Sequence, residues 1–474
     1  MAVPPNPVII PGPTPLPIIG KHGNFVLQFL RDPINYMNHV YKRYGPIAGL
    51  TKNDPGAVFA FGPEYNRQFL ANADIYHIRG SLLFPAPEDS APRQLDAGLT
   101  NMNGDKHRQQ RRLMMPAFQR KHVETYCEDM VTITQHFLDR WRPGENINLS
   151  REMQMISLYI ANKTLLGFDA IKNPRKLDIA AMIKRWQEMI TSPLVIGLPF
   201  DRPGMPYRRA LKHAEAMVAF LRKTIADKRA NPDEQHDVLA NLIKARDEDG
   251  TAMTDVELIG QATLLFAAGH ETTGNSLIWT LILLAQHPNV MHDLLDELDQ
   301  VLGGAAPTVE QLNKLPLLDK VIKESLRLFP TVFMSARKAT QPFQLGPYEL
   351  PEGMTVIFSE YMTHRMPELF PEPNRFLPER WNTIDPSPYE YLPFSTGARM
   401  CPGATFAMTE LRIILAMTLQ RYRLALIPGT VIKRQMAVTL SAKSPIPATV
   451  HKQDRRFSQT WLRGNLHEVV DLNY

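Results

Sequence analysis

Residues 254–286 read as one long apolar helix, and no other stretch constrains the fold of this chain as strongly. It opens on Thr254 with Glu257 three residues on, the pattern in which a hydroxyl and a carboxylate cap a helix start reciprocally. It stops before His287-Pro288, since a proline disfavours helix in the residue ahead of it. Helical periodicity dominates from about residue 105 onward, with turn signals at Asn173-Pro174, Pro203-Gly204 and Pro232. A further helix covers about 315–329 and ends at Pro330, and a last one starts near Ala404.

The rest of the chain is punctuated differently. Residues 4–17 carry seven prolines, so this stretch should lie extended over the surface. Ile47–Leu50 and Val58–Phe61 are β-like runs separated by Asn53, Asp54, Pro55 and Gly56, which predicts a hairpin. Residues 331–400, rich in proline and β-branched side chains, read as strands and irregular meander. With no repeats and no linker, the pattern predicts a mainly α fold with a smaller β portion. A single large domain would span residues 1–474, with residues 1–20 as its proline-rich leading segment.

Composition excludes several classes. The net charge of +5 comes without any Lys/Arg-rich run, which argues against a nucleic-acid binder. Two cysteines, Cys127 and Cys401, do not make a disulfide scaffold, and a reducing cytoplasm fits them better. The opening residues lack the basic and apolar regions of a signal peptide. No run of about 18 apolar residues occurs, so no transmembrane anchor is expected. The expectation is a soluble, cytoplasmic protein.

Cys401 stands in the run Phe394-Ser395-Thr396-Gly397-Ala398-Arg399-Met400-Cys401-Pro402-Gly403. A lone cysteine is by default a buried structural thiol. A thiolate that binds iron, however, needs backbone N–H groups aimed at its sulfur. Gly397 and Gly403 permit a tight loop that supplies them, and the following helix start favours an anionic sulfur. The spacing F-x-x-G-x-R-x-C-x-G, met at 394–403, resembles the haem-binding loop of the cytochrome P-450 family. The resemblance implies a haem-thiolate fold in which Cys401 ligates the iron of haem b. Phe394, Gly397, Arg399 and Gly403 would shape its loop, with Arg399 in reach of a haem propionate.

Other motifs follow in the family's order. Ala267-Ala268-Gly269-His270-Glu271-Thr272-Thr273 sets a polar cluster into the apolar helix. Its default reading is a buried kink, since Thr272 and Thr273 can bond back one turn. Gly269 also removes a side chain where a ligand could approach. The cluster resembles the family's A/G-G-x-E/D-T-T on the helix over the oxygen-binding face. Ala268 would then lie against the haem, and Glu271 and Thr272 would be the catalytic acid–alcohol pair. His270 falls at the variable position and is not expected to bind iron.

Glu324 and Arg327 share one helix face, and such a pair is usually solvated. Followed by Phe376-Leu377-Pro378-Glu379-Arg380-Trp381, it resembles the family's structural network of Glu324, Arg327 and Arg380. His107 and Arg111, at i and i+4, resemble the W/H-x-x-x-R pair that holds propionates, and Arg337 resembles a further propionate-binding arginine. Arg108, Arg112, Arg120 and Lys121 could form a basic patch for an acidic electron donor.

The resemblance implies a monooxygenase inserting one oxygen atom from O2 into a small apolar organic substrate. No flavin- or nicotinamide-binding Gly-rich loop is present. Electrons are therefore expected from a separate ferredoxin, flavodoxin or flavoprotein reductase. A peroxide-driven or oxygen-independent haem-thiolate enzyme is the first alternative, although such relatives usually lack the acid–alcohol pair. A non-catalytic haem-binding sensor is the second. Pocket walls are expected from Ser81–Leu99, Trp186–Met205 and Thr331–Ser335, with Phe84, Leu194, Val195, Val332 and Phe333 among an apolar lining.

Overall fold

A computed structural model of the chain describes residues 10–472, apart from 17–19, 21–23, 53–55, 81, 175–177, 232–235, 437 and 444. The expectations for residues 4–9 and Pro17, the 53–55 turn, Ser81 and Pro232 lie outside the described residues. Of the proline-rich segment, Pro11 and Pro13 accept backbone bonds from Gly49 and Lys52, so this part lies along the first strand.

The helices that build the site are α1 (Gly104–Met114), α2 (Arg120–Leu138), α3 (Leu149–Leu166), α4 (Asp178–Ile190), α5 (Pro206–Ala230), α6 (Asp255–Gly269), α7 (Glu271–Gln286), α8 (Pro316–Leu328) and α9 (Ala404–Arg421). A five-stranded sheet lies beside them. Its strands are β1 (Ile47–Gly49), β2 (Ala57–Ala60), β3 (Tyr76–His77), β4 (Ser335–Ala339) and β5 (Thr355–Phe358), in the order β1-β2-β5-β4-β3. The expected hairpin is present, with Ile47 opposite Ala60. β5 joins β2 in parallel, which ties the meander after residue 331 to the N-terminal hairpin. A small hairpin near the C-terminus pairs β6 (Arg434–Met436) with β7 (Leu440–Ala442).

The central apolar stretch departs from expectation in one respect. The Thr254–Glu257 capping box forms as read, but residues 254–286 make two helices that break at His270, not one. Two causes are visible. The Thr272 and Thr273 hydroxyls donate back to the carbonyls of Ala268 (2.8 Å) and Gly269 (3.4 Å), which tilts a helix at that point. In addition, α3 crosses directly against the break. There Gly269 proves to be a packing residue and not an opening for a ligand, because a Cβ on it would sit 2.5 Å from Leu165 Cδ1. The opposite side of this turn is open: Ala268 is exposed and Ala267 and Thr272 half-exposed, although Leu265 and Phe266 just ahead are buried.

Candidate active site

Cys401 is held by a loop that folds back on itself. Its N–H donates to the Phe394 carbonyl at 2.8 Å, closing the run from Phe394 to Cys401. Gly397 adopts φ +67°, and a Cβ there would lie 2.5 Å from the Leu70 carbonyl, so no other residue fits this turn. Gly403, expected to serve the same purpose, does not. Its φ is −86°, and a Cβ would stand in ordinary contact, 4.0 Å from the Cys401 sulfur. The Gly403 N–H does point at that sulfur. Burial pushes the Cys401 thiol up, while this N–H and the Arg111 guanidinium pull it down. α9 starts immediately afterwards, at Ala404.

Cations surround the loop. Arg111, on α1, donates to the Met400 carbonyl at 2.7 Å. Arg399 donates to the Asn103 side chain at 2.7 Å, while its Nε and Nη1 are buried without a partner. Burial, together with Arg337 and Arg111, pushes Arg399 down to about 10. His107 is buried beside Arg399 and Arg111, and burial and these charges push it down to about 4. Arg337, on β4, is also buried, and the buried carboxyl Glu360 opposes its charge. Three arginines and an imidazole thus converge on a cysteine loop with one acid among them. Buried charge in such excess is costly unless an anion completes it. A group carrying two carboxylates and taking a thiolate ligand fits this donor set.

The helix break carries the second group of residues. Glu271 accepts a 2.6 Å bond from the Thr439 hydroxyl, in the turn between β6 and β7. Asn275 donates to the same hydroxyl oxygen, and Gln154 of α3 donates to Asn275. Thr272 faces the open side. The His270 Nδ1 bonds the Phe266 carbonyl at 2.8 Å, so this ring is engaged within its own helix.

Glu324, Arg327 and Arg380 come together in the interior. Glu324 is fully buried and receives Arg327 Nε and Nη2 and Arg380 Nε, each at 2.9 Å. The Leu377 N–H and Trp381 Nε1 complete its shell at 3.0 and 3.1 Å.

A sequence model of the family described as Cytochrome P450 matches residues 10–450 of this chain. The chain belongs to the cytochrome P450 family. A putative cytochrome P450 139 of Mycobacterium tuberculosis (strain ATCC 25618 / H37Rv) is 30% identical over 86% of this chain and 94% of its own. The cyclooctatin synthase of Streptomyces melanosporofaciens is 31% identical over 91% and 93%, and the pentalenene oxygenase of Streptomyces avermitilis 28% over 91% and 97%. Among solved structures, the retinoic acid bound cyanobacterial CYP120A1 superimposes with a TM-score of 0.80 at 25% identity, covering 94% of this chain and 99% of that one. As a cytochrome P450, the chain is a haem b monooxygenase with the mainly helical fold expected from its sequence. No described helix is long and apolar enough to cross a membrane.

Some expectations need correction in this P450. Arg108 is paired with Asp74 and Asp105 at 2.5 Å and Arg120 with Glu124 at 3.0 Å, which neutralises half of the expected basic patch. Phe84 and Phe333 are core residues, not pocket lining. Phe84 is packed edge-on to Trp186 and Tyr207, and Phe333 is buried in the main hydrophobic cluster. Leu194 and Val195 border a surface groove with Lys184, Arg185 and Arg209. Several partners were not legible in sequence: Asn103, Thr439 and Glu360 reach the site only through long-range contacts. A lone acid within a β-branched and apolar stretch is the one signal that could have marked Glu360.

Proposed function

We propose that Cys401 supplies the thiolate, and that His107, Arg111, Arg337 and Arg399 hold the haem carboxylates. The observation that carries this reading is the convergence of three arginines and the buried His107 imidazole, with two unpartnered Arg399 nitrogens, on the Cys401 loop. When bound, the haem supplies O2 activation and transfer of one oxygen atom. The protein's own task is then to deliver protons to a site that otherwise stays dry. Thr272 does this on the open face of the break. Its hydroxyl donates to the Ala268 carbonyl, leaving its oxygen free to accept from a proton-carrying water. Glu271, oriented by Thr439, connects that point to solvent.

Thr272→Ala is expected to keep haem content and substrate binding, and to keep consuming reduced cofactor. Product per electron pair falls about tenfold while hydrogen peroxide rises, since positioned proton donors commonly contribute about 10²-fold or more. Glu271→Gln slows turnover as a whole. Measuring product, peroxide and cofactor consumption together checks both. A Thr272→Ala enzyme as productive per electron pair as its parent sinks the relay and favours a peroxide-driven reaction.

The substrate is proposed to be a small apolar molecule. Ala268 and Val332 present apolar surface that other side chains leave open. Relatives named pentalenene oxygenase and cyclooctat-9-en-7-ol 5-monooxygenase carry cyclic alkenes in their names. Screening such compounds for the absorption change that accompanies loss of iron-bound water tests this. Electrons are proposed to come from a separate acidic protein that docks on the exposed Arg112 and Lys121. Arg112→Glu should slow reduction several-fold without changing substrate affinity, and reduction by the donor should slow as salt rises. Salt-independent reduction removes this docking face.

A further inference from the structure

Glu410 has no place in the chemistry above, yet its burial is complete. It lies on α9, nine residues past Cys401, with 0% of its surface exposed. Both carboxyl oxygens are inaccessible to solvent and lack a bond that meets hydrogen-bond geometry. Burial pushes the group up to about 8, and the one side chain that offsets this is Ser157 of α3. Ser157 is itself fully buried, and its hydroxyl donates to the His270 carbonyl at 3.0 Å, at the break between α6 and α7. That carbonyl also accepts the Gly274 N–H at 2.9 Å.

The inventory of protons decides what this arrangement can do. Ser157 has one proton to give, and His270 is receiving it. An ionised Glu410 could only accept, so it would compete for that same proton and turn the hydroxyl away from the break. A protonated Glu410 can donate to the Ser157 oxygen and so fix the hydroxyl toward His270. An unpaired carboxylate in a dry site is also the costlier form.

We propose that Glu410 is a positioning residue: its protonated carboxyl orients Ser157, which pins the His270 carbonyl and thereby sets the helix break that carries Glu271 and Thr272. The connection joins the helix that begins after the cysteine loop to the helix pair that carries Glu271 and Thr272. It rests on the reading of Thr272 as the proton-relay residue.

Infrared difference spectroscopy between the parent and Glu410→Gln tests the protonation directly. At neutral pH the parent should show the carbonyl stretch of a buried carboxylic acid, and the variant should lack it. Absence of that band overturns the proposal. Function gives the second readout. Glu410→Gln keeps a donor for Ser157 and should stay coupled. Glu410→Leu and Ser157→Ala should each release about fivefold more peroxide per electron pair, the factor set by one hydrogen bond of about 1 kcal/mol. The double variant should be no worse than either single one, because both remove the same link. Should Glu410→Leu not fold, Ser157→Ala and the infrared band still decide. A Glu410→Gln enzyme as uncoupled as Ser157→Ala, or a fully coupled Ser157→Ala, overturns the positioning role. If Thr272→Ala is uncoupled in the same assay, the relay reading survives that failure. If Thr272→Ala is coupled, the relay reading falls and the proposal falls with it.

Discussion

Replacing Cys401 with Ala is expected to abolish the strongly red-shifted absorption of the reduced carbon-monoxide complex, while Cys127→Ala leaves it unchanged. Burial pushes both thiols up, but the groups that face the two sulfurs differ. Cys127 sits on α2, buried among apolar side chains, and burial pushes its thiol up to about 11. Its thiol donates to the Val123 carbonyl, and the Glu124 charge also disfavours a thiolate there. Cys401 has the Gly403 N–H and the Arg111 charge directed at its sulfur, both of which favour a thiolate. Loss of this one sulfur should leave the fold largely intact, since the loop is closed by the Cys401 backbone N–H and not by its side chain. The absorption spectrum of each variant, set beside its haem content, checks this. An unshifted spectrum in the parent protein would falsify thiolate ligation altogether.

Glu324→Ala is expected to give protein that is insoluble or cannot retain haem. Glu324 takes five donors on two oxygens in a fully buried position. Its removal strands Arg327, whose own exposure is 0%, and Arg380 at 7%. Breaking a buried pair from one side costs about 3–5 kcal/mol, a large share of the roughly 5–15 kcal/mol that separates a native domain from its unfolded state. Arg327 also donates to the carbonyls of His364, Pro373 and Arg375, and Arg380 to those of Pro371 and Glu372. The loss therefore spreads through the meander between β5 and the cysteine loop. Calorimetric melting and haem content read the effect. Parent-like values for both would show that these carbonyls, and not the carboxylate, carry the region.

What could be read from the chain was whatever is encoded within a few residues. The cysteine loop is contiguous, so its spacing was visible without the fold. The same holds for the Thr254 and Glu257 cap, for the His107 and Arg111 pair on one helix face, and for the hydroxyls of Thr272 and Thr273 that bond back one turn. The Glu324–Arg327 pair is also local. Its joining to Arg380 was legible only because the second motif is itself distinctive.

Contacts between distant segments escaped that reading. The Thr272 and Thr273 back-bonds at the break are local, but the close approach of Leu165 on α3 to Gly269 is not, and nothing within residues 254–286 encodes α3. The basic patch lost Arg108 to Asp74, a partner in another part of the chain. Asn103 meeting Arg399, Thr439 meeting Glu271 and Ser157 facing Glu410 are likewise matters of tertiary placement. The sequence by itself determined the ligand loop, the capped start of the central helix and the chemistry available at each motif, because short-range spacing and backbone preference settle those. Only the tertiary structure decided which polar groups are left without a protein partner, since burial and desolvation come into being when helices pack. On that packing rest the cation cluster around Cys401 and the dry carboxyl of Glu410.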